Sequence, residues 1–182
     1  MRSGRGRAAA VVGGGGAERD SIDALLEEWR RERPDLDASP VAILGRLHRI
    51  SARLHRRVEA WLLPLGLTWE SFSVILTLRR SGPPFALRPT DLYRESLLTS
   101  GAMTNRIARV EKRGLVRRRR DPHDGRVAVV ELTERGRQLA DRATTIHFRA
   151  LAETLAGLSG RDREQLDAVL TKLLAILETD EA

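Results

Sequence analysis

Apolar positions recur every three or four residues through most of the chain, the period of a helix with one buried face. In DSIDALLEEWRRERPDL this places Ile22, Leu25, Leu26 and Trp29 together, with Asp20 or Ser21 able to cap the start and Pro34 ending the run. A short amphipathic helix is therefore expected within 20–37. Ser39 as a cap and Pro40 at the first helical position open a longer one, in which Ile43, Leu44, Leu47, Ile50, Leu54, Val58, Trp61 and Leu62 keep the spacing to residue 62. TWESFSVILTLRRS (68–81) carries Phe72, Ile75, Leu76 and Leu78 and stops at Gly82-Pro83-Pro84, which predicts a third, largely buried helix. Near the C-terminus, Thr133 caps a helix over 134–157 with Leu139, Ala143, Ile146, Ala150 and Leu155 in register. Ser159 and Asp162 open a last one over 160–178 with Leu166, Val169, Leu170, Leu173, Leu174 and Leu177. These terminal stripes are longer than one small core can cover.

The middle of the chain breaks the pattern. RPTDLYRES starts a short helix with Pro89 at its first position and Asp91 in its first turn, and Arg88 stands just before it. TSGAMTNRIARVEKRG follows within a few residues, with Thr99 as N-cap, Gly114 as stop, and Lys112 and Arg113 in the last turn. Two short helices this close make a helix-turn-helix. At 100° per residue Met103, Ile107 and Val110 share one face, and Gly101, Thr104, Asn105, Ala108, Arg109 and Lys112 lie opposite. That outward face suits a DNA major groove: small residues allow close approach, Asn pairs with adenine, Arg with guanine, and Ser100 or Thr104 reaches base or phosphate. LVRRRR and VAVVEL then read as two strands joined by the turn DPHDGR. A basic hairpin after a helix-turn-helix is a wing. Alternation puts Arg117 and Arg119 on one side and Arg118 and Arg120 on the other, so only part of the run can meet one partner. Phosphates, screening and nearby acids such as Asp121 would relieve the repulsion.

Composition narrows the class. The formal charge is +7, the pI about 11.1, and all but Lys112 and Lys172 of the 32 basic residues are arginine, which points to a polyanionic partner. No cysteine is present, which rules out thiol chemistry and suits a reducing cytoplasm. No apolar run approaches the ~18 residues of a membrane span. Residues 1–19 read as a disordered basic tail, with a tetraglycine that no Gly-Lys-Ser/Thr follows. His48 and His55 share a helix face but have no third ligand at metal spacing, and neither Ser100 nor Ser159 sits in a Gly-x-Ser-x-Gly elbow. Neither an enzyme nor a cofactor is expected.

The order helix-turn-helix, EKRGLV, RDPHDGRVAVVELTERGRQL resembles the MarR family of winged-helix regulators across roughly 41–178. The resemblance implies a mainly α fold with a small β-hairpin wing. It implies a DNA-binding part at 68–132 inside a domain at 38–178, and dimerisation helices at 40–62, 134–157 and 160–178. It also implies a homodimer on a pseudo-palindromic double-stranded operator, with Arg126 entering the minor groove and Asp124 supporting the wing tip. The extra helix at 20–37, with WRRERPDLDASP and LRPTDL, resembles the PecS-type, urate-responsive branch. That likeness implies an effector site to which Trp29, Arg106 and Arg118 belong, where Ser73 replaces the branch's Asp. Geometry adds that Arg106 lies about 60° from the Met103 and Ile107 face and so points toward the scaffold. An anionic aromatic or carboxylate effector fits, with Glu70 or Asp91 as substitute partners for the arginine. The competing reading is an architectural winged-helix protein without a ligand response.

Overall fold

The computed structural model describes residues 19–96, 103–120 and 127–179. The expected basic tail, the Thr99 cap with Ser100 and Gly101, and the wing tip with Asp121, Asp124 and Arg126 lie outside the described residues. The chain divides into two compact units, one ending at Arg53 and one beginning at Leu54.

In the first unit, α1 (Ser21–Glu32) starts where Asp20 accepts hydrogen bonds from the N–H groups of Ile22 and Asp23, at 2.7 and 3.1 Å, while Asp23 accepts from the Asp20 N–H at 2.8 Å. This reciprocal cap satisfies donors that the first turn leaves open. Arg46, from the next helix, donates to Asp20 at 2.8 Å and to Asp23 at 2.6 Å. Its guanidinium, with the capped N–H groups, holds the Asp20 carboxyl down at about 2. Ile22 and Leu26 are buried, Leu25 is half-buried, and Trp29 remains 48% exposed. Helix α2 (Ser39–Leu62) begins one residue earlier than expected. Ser39 is its first helical residue and not its cap, because the Asp37 carboxylate takes both the Ser39 N–H at 2.9 Å and its hydroxyl at 2.8 Å.

The second unit holds the end of α2, a short 3-10 turn (Leu63–Leu65), α3 (Trp69–Arg80), β1 (Ala86–Leu87), α4 (Pro89–Glu95), α5 (Met103–Lys112), β2 (Val116–Arg120), β3 (Ala128–Leu132), α6 (Glu134–Thr154) and α7 (Gly160–Thr179). The strands form one antiparallel sheet in the order β1-β3-β2, and β2 pairs with β3 from Val116 opposite Leu132 to Arg120 opposite Ala128. As expected, α3 is the buried helix: Phe72, Val74, Ile75 and Leu78 are fully covered. They join Leu62, Leu92, Ile107, Val110, Val116, Val130, Leu132, Ala140 and Ala143 in one core. Burial at this level contributes roughly 1.5–3 kcal/mol for each large apolar side chain. Arg79 of α3 ties to Asp141 of α6 at 2.5 Å and lies over the Phe85 ring at 5.0 Å.

Two departures concern α6. Its buried face is Gly136, Ala140, Ala143, His147 and Ala150, whereas Ile146 is half-buried and Leu155 is exposed. Of the expected stripe, Ala143 and Ala150 are buried, but the helix lies close to its neighbours, so that apart from His147 only small side chains fit beneath it. It also ends at Thr154, not Gly157; Leu155 and Leu158 close turns behind it. At the start, Thr133 acts twice: its hydroxyl accepts from the Gly136 N–H at 2.9 Å and donates to the Gly114 carbonyl at 2.8 Å. A Cβ on Gly136 would run into the Leu115 carbonyl, so this position requires glycine. Helix α7 opens with Ser159 and Asp162 bonded reciprocally, at 3.1 and 3.2 Å, and no residue in it is buried. Among the described residues no single helix is long and apolar enough to cross a membrane.

Candidate nucleic-acid interface

Helix α5 divides as its sequence predicts. Met103, Ile107 and Val110 are buried, and Thr104, Asn105, Ala108, Arg109 and Lys112 are exposed on the opposite face. It ends cleanly because Gly114, at φ 68°, turns the chain left-handed, so that the Leu115 N–H reaches the Val110 carbonyl at 3.0 Å and the Gly114 N–H the Glu111 carbonyl at 2.8 Å. No ion pair among the described residues engages Arg109 or Lys112. The exposed face therefore offers hydrogen-bond donors and acceptors with two cations that pair with no acid among the described residues. Arg88 is exposed at the N-cap of α4, and Asp91 is half-buried in its first turn.

The strand alternation expected for the arginine run is present, and nearby acids pair with it as expected, although Asp121, the one named, lies outside the described residues. Arg117 and Arg119 converge on Glu131 of β3, at 2.9 and 3.1 Å. Arg118 points to the other side and meets Glu111 of α5 at 3.2 Å. Glu131 is buried, at 9% exposure, and the Arg117 guanidinium, with Arg119, holds its carboxyl below the usual range against the opposing effect of burial. The arginine run alone does not single out Glu131, and it is the register that sets it directly across from Arg117.

The four effector candidates have separate surroundings. Trp29 lines a cavity of about 260 Å³ in the first unit with Arg33, Leu36, Asp37, Ala38 and Val41. Ser73 is buried inside α3 at 3% exposure. Arg106 is half-buried and its charge acts on Glu70, whose carboxyl is held down first by its own N–H and the Thr68 hydroxyl, then by Arg106 and His55. Glu70, one of the two substitute carboxylates considered, thus stands near Arg106. Arg118 leans on Glu111.

One buried group escaped the sequence reading. His147 is 8% exposed, enclosed by Trp61, Trp69, Phe72 and Phe148 with ring centroids 5.1 to 6.3 Å away, and its Nδ1 has no hydrogen-bond partner. Burial pushes its pKa below the ordinary imidazole value. Among the described residues no group of three or more His, Cys, Asp or Glu is placed to hold a metal ion.

Helix-turn-helix elements followed by a paired hairpin, with polar and basic residues on the outward face of α5, define a winged-helix DNA-binding protein. Residues 65–127 match the MarR family. The HTH-type transcriptional repressor Rv2887 of Mycobacterium tuberculosis is 34% identical over 137 residues, which cover 75% of this chain and 95% of that protein. The HTH-type transcriptional regulator PecS of Dickeya dadantii is 29% identical over 152 residues, 84% of this chain and 92% of that one. A mutant MarR from E. coli, crystallised with operator DNA, superposes with a TM-score of 0.64 at 25% identity, covering 80% of this chain and 97% of that chain. The chain belongs to the MarR family of winged helix-turn-helix transcriptional regulators, which are DNA-binding proteins and not enzymes.

Proposed function

We propose that this regulator acts as a homodimeric repressor that reads a pseudo-palindromic operator with two copies of α5 and is released by an anionic small molecule. The observation that carries the DNA reading is the outward face of α5, where Thr104, Asn105, Arg109 and Lys112 are exposed beside Ala108 with no large apolar group and no acid among them. In this reading Ser100, Gly101, Thr104, Asn105 and Arg109 face bases or phosphates, Arg88 and Lys112 hold phosphates, and Arg126, braced by Asp124, enters the minor groove. The exposed leucines of α7 support the dimer. Selection of bound fragments from genomic DNA at a stated salt concentration tests both. The expected product is a half-site repeated about one helical turn apart, and Asn105→Ala is expected to cost ~1–3 kcal/mol and relax preference at one base position in each half. Recovery of fragments without a shared sequence rejects the repressor reading in favour of an architectural one.

Arg106 and Arg118 stand beside Glu70 and Glu111, the kind of partner an anionic effector replaces. We infer that the effector binds at Arg106 and Arg118 of the second unit, with Ser73 disfavouring urate, while Trp29, which the resemblance implies as a further member, lines a cavity of the first unit. Titration of operator release with urate is expected to give little response in the parent and a gain in Ser73→Asp. Release of the parent at equal urate overturns the role of Ser73.

A further inference from the structure

The arginine run poses a problem of specificity. Four adjacent cations on one wing strand would grip the phosphates of any sequence, and each phosphate contact adds about 0.9 to the salt slope of binding without discriminating between sites. The geometry points to Glu131 as the residue that restrains this: by sequestering Arg117 and Arg119 it holds down sequence-independent affinity for DNA. The inference rests on the reading of the hairpin as a DNA-binding wing.

Three observations carry it. The register sets Arg117 opposite Glu131, and Arg119, two residues on, lies on the same face of the sheet. Both guanidiniums reach the one carboxylate, Arg117 Nε at 2.9 Å from Oε2 and Arg119 Nη1 at 3.1 Å from each oxygen. The exposures are unequal: the Glu131 side chain is only 12% accessible, while Arg117 and Arg119 keep 59% and 47%. The two arginines are thus open to a passing phosphate, yet the group that holds them has little water to fall back on. Drawing either arginine onto a phosphate strips a partner from a buried carboxylate, which opposes the new contact. An exposed acid would exert no such hold, because surface ion pairs are worth little. The remaining members of the run are disposed differently. Arg118 faces the opposite side and binds Glu111 of α5, tying the wing to the helix that reads the groove. Arg120, at the end of the strand nearest the turn, is exposed.

The test uses the full chain and a random-sequence duplex, with affinity measured by fluorescence anisotropy across a potassium chloride series. Glu131→Gln is expected to tighten binding to the random duplex on the order of tenfold at ~0.1 M salt and to steepen the slope by about 1 to 2, as one or both arginines move to phosphates. The neutral triple variant Arg117→Gln/Arg119→Gln/Glu131→Gln is expected to match the parent within about twofold, because the arginines it removes were not on the DNA. A merely structural staple predicts no steeper slope in a folded Glu131→Gln protein, and that result overturns the inference. So does a triple variant whose slope falls by about 2, which would place both arginines on phosphates in the parent. If circular dichroism shows Glu131→Gln unfolded, the triple variant decides alone by the same criterion. Arg126→Ala serves as the reference for the wing, with an expected slope loss of about 1. A parent with no salt-dependent binding to any duplex overturns the DNA-binding reading itself, and the role of Glu131 with it.

Discussion

Helices α6 and α7 are consecutive and nearly equal, 21 and 20 residues long, and they dispose of their apolar residues in opposite ways. α6 buries Gly136, Ala140, Ala143, His147 and Ala150 against its own chain, and all but the histidine are small. α7 carries the larger side chains and buries none of them: Leu166, Val169, Leu170, Leu174, Ile176 and Leu177 are all exposed. Small residues let α6 lie close to α3 and β3, where its contribution comes from contact and backbone proximity. Among the described residues of the second unit, none covers the stripe on α7. A contiguous apolar face of this kind marks an interface, so one helix completes the domain and the other, in the dimer we propose, completes the protein.

The sharpest way to break this contrast is to remove α7. Deletion of 160–182 is expected to leave the second unit's core folded, since no α7 residue is buried in it, while reducing operator binding by at least about a hundredfold, because two half-sites can no longer be held together. Light scattering that gives a monomer for the intact chain, or a truncated chain that still binds as the parent does, removes the distinction. The converse prediction concerns α6. Gly136→Ala is a substitution that helix propensity alone would favour by up to ~1 kcal/mol, yet the added methyl meets the Leu115 carbonyl at the base of the wing. A net loss of about 2–3 kcal/mol is expected, within the range for overpacking at a rigid contact, and urea unfolding measures it. Unchanged stability would mean that α6 can slide outward and that its close packing is not fixed by this contact.

The same contrast explains how much could be read beforehand. The longer helices are legible because apolar periodicity does not depend on what covers the face, α4 is marked instead by Pro89 and Asp91, and the winged helix-turn-helix follows from caps, Gly114 and the turn chemistry of DPHDGR, whereas the 3-10 turn at Leu63–Leu65 carries no such signal. What the periodicity does not reveal is the identity of the covering surface, which is why the expected stripe on α6 ran through Ile146 and Leu155 and missed His147. β1 went unseen because two residues, Ala86 and Leu87, are too few to show a period of two; its pairing with β3 is a tertiary event. On the proposed DNA surface, exposure of Thr104, Asn105, Arg109 and Lys112 followed from the helical wheel alone. The wing's charge balance followed only in part: alternation separates Arg117 and Arg119 from Arg118 and Arg120, but it does not name the acids they meet. Register and packing supply those, Glu131 on one face and Glu111 on the other.

The smallest effect expected is also the one that ties α6 most closely to the aromatic core. His147 sits among Trp61, Trp69, Phe72 and Phe148, its Nδ1 lacks a hydrogen-bond partner, and burial pushes its pKa below the ordinary value of 6.5. The folded state therefore holds the imidazole neutral at pH values where the unfolded chain, with its ordinary pKa, has begun to bind a proton. Below pH 6.5 the unfolded state takes up more protons than the folded one, so stability falls with falling pH, and the decline levels off once the pH is below the folded-state pKa. Replacing the imidazole with a ring that cannot titrate removes that contribution while keeping the aromatic packing. Urea midpoints measured between pH 7.5 and pH 5 are expected to decline less for His147→Phe than for the parent, with the two curves closest above pH 7. Parallel curves across the whole range would show that His147 keeps an ordinary pKa in the fold, and that the aromatic enclosure on α6 is more open to water than its burial indicates.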